Sequence, residues 1–220
     1  MPVVRDNERP PPKRRVPTQE RSRRRVEMIL DAAERLVLEH GVEHLTTRDV
    51  AQAAQVPVAS LYQYFAAKED VLIALAERHM AEMDEQVMTD LAAVDPLTVE
   101  GLVRSVMQSF RRVYDRRRAF VVIYLRGRTN TAVHRFGRDH NRRVARMLRE
   151  FAVDAGIAEA DLPPAAAELA VEIGDRVFQL AYDKDLRGDD FLVEEGMAMV
   201  AGYLEQYATP AGRTGVPLDR

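Results

Sequence analysis

Over most of the chain, apolar side chains recur every three or four positions, the spacing that gathers them on one stripe of a helix. Val26, Ile29, Ala33, Leu36 and Val37 form the first stripe, which stops at Gly41, a residue free to adopt the left-handed conformation past a helix end. Thr46 followed by Asp49 is a capping pair that opens a second helix of about two turns, with Val50, Ala51 and Ala54 on its apolar face. Pro57 suits a first helical position, and the following VASLYQYF predicts a short third helix with Leu61 and Phe65 facing inward. From Lys68 to Val94 the same period persists for roughly seven turns, a rod long enough to join two domains.

Asp95-Pro96 interrupts the rod, and four further stripes follow. They run over Leu102 to Val113, Val133 to Phe151, Leu169 to Ala181 and Leu192 to Tyr207, punctuated by Gly156, Pro163-Pro164 and Gly188. The seven apolar residues of Ala119 to Leu125 would suit a buried strand as well as a helix, but no other segment offers a partner strand, so a helix is predicted. The expected fold is all-α, with about nine helices. Residues 1–17, with five prolines among charges, read as a flexible basic arm. Residues 18–67 form a three-helix unit, 68–208 a larger helical domain, and 209–220 a frayed tail.

Composition narrows the chemistry. None of the 220 residues is Cys, which excludes disulfides, thiolate metal sites and a cysteine nucleophile, and suits a reducing cytoplasm. No apolar run approaches the ~18 residues of a membrane span, and the start of the chain lacks the apolar centre of a signal peptide, so a soluble protein without a membrane partner is expected. The five histidines form no metal-ligand spacing, because Gly41 separates His40 from His44. No catalytic motif is present either, so neither an enzyme nor a bound cofactor or metal is expected.

The net charge of -3 conceals an asymmetry: residues 1–25 hold nine basic and three acidic side chains, while the other 195 hold 23 basic and 32 acidic. A basic beginning on an acidic body fits a polyanion at one end. Two short helices joined by a tight turn, with a third just before them, make a helix-turn-helix unit, whose second short helix enters the DNA major groove.

The residues carrying this pattern are Thr46-Thr47-Arg48-Asp49-Val50-Ala51, Ala54-Gln55-Val56, Leu61-Tyr62-Gln63-Tyr64-Phe65 and Lys68-Glu69. In this order the segment resembles the tetracycline-repressor (TetR) family of transcriptional regulators. The resemblance implies a homodimer that binds a near-palindromic double-stranded operator through its N-terminal domains. It also implies a C-terminal domain that binds a small-molecule effector and thereby releases DNA. On that resemblance Thr46, Thr47 and Lys68 meet phosphates and Arg48 the major groove. Val58, Ala59, Ser60 and Gln63 lie near base edges, and Tyr62 and Tyr64 on backbone or base. Arg21 to Arg25 would add phosphate or minor-groove contacts.

Gln55 stands where the family usually has Gly, Pro57 and Ala67 where it has polar caps, and Ala59 where it has a small Gly. A different function class is therefore weighed beside the regulator: a helical small-molecule-binding or protein-interaction module that no longer reads DNA. Candidate ligand contacts are His79, Met83, Met107, Phe110, Tyr124, Phe178 and Tyr182, the apolar and polar-tipped residues of the bundle. The eighth and ninth helices, with Gly174, Gly196, Ala198, Ala201 and Gly202, are the expected dimer surface. The Arg-rich stretch from Arg126 to Arg149 reads as a solvated face or, more sharply, an anion site.

Overall fold

Helix signals in the sequence become helices in a computed structural model, which describes residues 20–127 and 130–215. The basic arm of residues 1–17, Arg128 and the last five residues lie outside the described residues. The elements are α1 Glu20–His40, α2 Thr47–Ala53, α3 Val58–Tyr62, α4 Lys68–Leu91 and α5 Val99–Arg116. α6, Arg118–Phe120, runs into a π-helical turn, Val121–Leu125. Then come α7 Thr131–Asp154, α8 Pro164–Ala181, α9 Asp190–Leu204 with a 3-10 turn Glu205–Tyr207, and α10 Pro210–Thr214. Among the described residues all of these elements are helical, so the class is all-α.

Local chemistry fixes the helix ends. Gly41 and Gly156 take positive φ, 79° and 71°, just past α1 and α7. The carboxamide oxygen of Asn130 accepts from the Ala132 and Val133 N–H groups at the start of α7, and Asp189 accepts from the Leu192 N–H at the start of α9.

Three expectations need correction. The third helix ends at Tyr62 and not at Phe65, so its reading surface is a single turn and a half. Among the described residues there are ten α-helices where about nine are expected. The added one falls within the segment read as a frayed tail: Thr209 caps α10, its hydroxyl accepting from the Gly212 N–H at 3.0 Å and donating to the Gly156 carbonyl at 2.7 Å. Gly212 is required there, since a Cβ would lie 1.9 Å from the Ile157 carbonyl oxygen.

The N-terminal core gathers Ile29, Leu30, Val37, Val50, Leu61 and Phe65 with Leu72 and Leu75 from the first turns of α4. It also takes in Ala119 and Ile123, whereas their neighbours Phe120, Val121 and Leu125 face the core of the body. The apolar run is continuous because both sides of this segment are buried. On the outside, Arg78 of α4 donates to Glu27 at 3.2 Å, Asp31 at 2.7 Å and Glu34, all on α1. The half-buried guanidinium therefore ties the start of the chain to the long rod. Among the described residues, no helix is long and apolar enough to cross a membrane.

Candidate nucleic-acid interface and ligand cavity

The turn between α2 and α3 is made by Gln55, whose φ of 55° is left-handed. A side chain in this region costs about 1 kcal/mol or more relative to Gly. Gln55→Gly should therefore raise the unfolding free energy by about 0.5–1 kcal/mol, measured as a higher urea midpoint.

Around that turn the two short helices present one exposed face. The Thr46 hydroxyl is committed to the α2 cap, accepting from the Asp49 N–H at 3.2 Å and donating to the Asp49 carboxylate at 2.6 Å. Thr47 and Tyr62 bring their hydroxyls to 3.0 Å, which links α2 to α3 at the surface. Arg48 is exposed, as are Val58, Ala59 and Gln63, and Tyr62 is 50% exposed. Lys68 is half-buried at the first position of α4. The Asp70 carboxylate accepts from the Ala66 and Ala67 N–H groups at 2.9 and 3.1 Å, supplying the cap that Ala67 lacks.

Two of the named residues are not on this face. Ser60 is buried, and its hydroxyl accepts from Arg25 of α1 at 3.1 Å. The Tyr64 hydroxyl turns back to donate to Ser22 at 3.3 Å. Both pin α3 against the start of α1, where Arg21, Arg23, Arg24 and Arg25 are exposed. Sequence reasoning missed these cross-links, because partners 35 and 42 residues apart leave no local pattern.

A cavity of about 90 Å³ lies among α5, α7, α8 and α9. Met107, Phe110 and Phe178 line it; His79, Met83, Tyr124 and Tyr182 do not. Met83 packs in the body core, and the buried Tyr182 donates to Asp115 at 3.3 Å. His79 stands near the joint between the two halves, 5.4 Å from the Phe120 ring centroid and 3.7 Å from the Glu34 carboxylate. The arginines of 126–149 are scattered: Arg126 donates to the Tyr182 carbonyl, Arg149 to that of Leu162, and Arg142 to Asp139.

Burial, and then the neighbouring Arg78, holds the His79 pKa down at about 4; burial and Arg143 do the same for His140. Between pH 6.5 and 4 the unfolded chain therefore binds more protons at these residues, and stability is lost as pH falls through that window. Burial raises Asp175 to about 6, which works oppositely: its contribution is present at low pH and fades as pH rises towards 6. Two imidazoles outweigh one carboxyl. Acidification from pH 7 to 5 should cost roughly 2 kcal/mol in urea unfolding, and His79→Gln should remove about half of the histidine part.

On α8 and α9, Leu169, Leu180, Phe191 and Met199 are large apolar side chains left exposed. Gly196, expected between subunits, instead admits Val177 within the chain, since a Cβ would lie 2.4 Å from it. Gly174 and Ala201 are buried too, while Ala198 and Gly202 face outward.

A short helical pair exposed at one end of an all-helical body defines the helix-turn-helix class. Residues 29–75 match the bacterial regulatory proteins of the tetR family. It is 33% identical over 99 residues to an uncharacterized HTH-type transcriptional regulator of Mycobacterium tuberculosis, a match covering 43% of this chain and 48% of that protein. The matched stretch thus spans about half the length of the curated relative. Among solved structures, a TetR-family transcriptional regulator from Streptomyces coelicolor superposes with a TM-score of 0.67 at 28% identity, over 83% of this chain and 99% of that one. The fatty acid degradation regulator FadR from Bacillus halodurans shares the fold, with a TM-score of 0.65 at 20% identity over 80% of this chain and 94% of that one.

Proposed function

We propose that the protein is a dimeric, ligand-responsive transcriptional repressor that binds a near-palindromic operator. The observation that carries this reading is the exposed face of Arg48, Val58, Ala59, Tyr62 and Gln63, with Lys68 beside it, on helices pinned from behind by Arg25 and Tyr64. Arg48 suits bidentate contact with guanine, Tyr62 and Thr47 offer hydroxyls to a phosphate, and Lys68 is a point charge for one. Val58 and Ala59 are suited to methyl contacts with thymine. Helices α8 and α9 would pair with a second copy, because Leu169 and Leu180 on one, and Phe191 and Met199 on the other, form exposed stripes at helical spacing. The cavity would hold the effector; α5, one of its walls, packs on α4, which Arg78 ties to α1.

A gel shift on duplex DNA flanking the protein's own gene tests this. Binding should weaken steeply with salt, and Lys68→Ala should reduce the slope of log K against log salt by about one per subunit. A chain that binds no duplex at low salt is the helical ligand-binding or interaction module instead.

A further inference from the structure

The cavity among α5, α7, α8 and α9 is walled almost entirely by apolar side chains, yet one carboxyl group, that of Asp175 on α8, belongs to its wall. Gln179 donates to that carboxylate at 2.7 Å, and the Tyr124 phenol, whose hydroxyl donates to the Asn141 carboxamide oxygen at 3.5 Å, stands beside it. The Tyr124 ring can reach it because α7 has Gly137 beneath, where a Cβ would lie 2.2 Å from the ring. Both supports are neutral. Among the described residues no Lys or Arg forms an ion pair with Asp175; the Glu172 carboxylate repels it, and the His134 imidazole, when protonated, attracts it. Arg149, the basic residue of the lining, faces away from this end: its Nε and Nη2 donate to the Leu162 and Ala160 carbonyls, at 2.7 and 3.4 Å. Ala167, which lines the cavity near that end, lies two helical turns from Asp175, roughly 12 Å along α8.

A partly buried carboxylate beside an apolar cavity, without a Lys or Arg partner, is held at a cost that a positively charged ligand group would cancel. We propose that the cavity binds an amphiphile with one basic nitrogen, its ammonium group on Asp175 and its apolar body between Phe110, Phe178, Val106 and Leu148. An anionic amphiphile in the same pose would place two negative charges together. This names the effector class of the regulator proposed above and rests on that reading for its role, although binding itself is measured without DNA.

The test is calorimetric titration of the full chain, at pH 7, with octylamine, octanol and octanoate, which share a chain and differ in charge. Octylamine should bind about ten- to a hundredfold more tightly than octanol, the range of a hydrogen bond to a charged group, and octanoate should bind weakest. Asp175→Asn should bring octylamine down to the affinity of octanol and leave octanol unchanged. The ligand order in the unaltered protein stands as evidence even if the variant does not fold. Octanoate binding best, an unchanged octylamine affinity in Asp175→Asn, or no binding by any of the three overturns the proposal. Tight octylamine binding that leaves DNA affinity untouched supports the site and counts instead against ligand-controlled repression.

Discussion

Truncating Phe65 to alanine should lower the unfolding free energy by about 3–5 kcal/mol, the largest single loss expected in the N-terminal half. Phe65 is fully buried where the segment after α3 turns back between α1 and the first turns of α4. Its ring is the inner support of the exposed face, packed in one core with Ile29, Leu61 and Leu72. Urea denaturation followed by circular dichroism measures the loss. With a domain stability of about 5–15 kcal/mol, the variant should also lose most of its DNA binding at 37 °C and recover part of it on cooling.

Arg48→Ala should do the opposite: keep the fold and lose the DNA. Arg48 is exposed on α2, and the acidic residue next to it in the chain, Asp49, is already taken by Thr46. Stability should therefore change by less than about 0.5 kcal/mol. Loss of a bidentate base contact costs about 1–3 kcal/mol, or roughly ten- to a hundredfold in affinity per half-site, with discrimination relaxed at the base it reads. Fluorescence anisotropy on an operator duplex, beside the same urea titration, separates the two effects. A change in stability with unaltered affinity would make Arg48 a surface residue of α2 only.

Much of the fold was legible because its signals are local. Gly41 and Gly156 end helices at positive φ, Thr46 and Asp49 form their cap, and the period from Lys68 gives the rod. Gln55 takes the left-handed turn that its motif position implies, despite its side chain. The Thr209-Pro210 pair was an equally local cap signal, and it begins a helix in a segment that composition alone assigns to a frayed tail.

What escaped the sequence was long-range. Ser60 is polar and alternates with apolar neighbours, so pattern places it outward; it is buried because Arg25, from another helix, satisfies its hydroxyl. Apolar stripes likewise cannot distinguish a cavity wall from a filled core. Hence Met107, Phe110 and Phe178 line the cavity, while Met83 on α4 and Tyr182 just after α8 are packed in the body core. Asp175 had no motif to mark it, since its significance comes from its place in an apolar wall without a Lys or Arg partner.

Hydroxyl-radical footprinting of the protein on DNA flanking its own gene tests the central claim most directly. If the α2–α3 faces of two subunits read one duplex, protection should fall in two patches centred about 10–10.5 base pairs apart, or a multiple of that spacing, with matching half-site sequences. Uniform protection that follows any duplex, or none at low salt, would contradict the account.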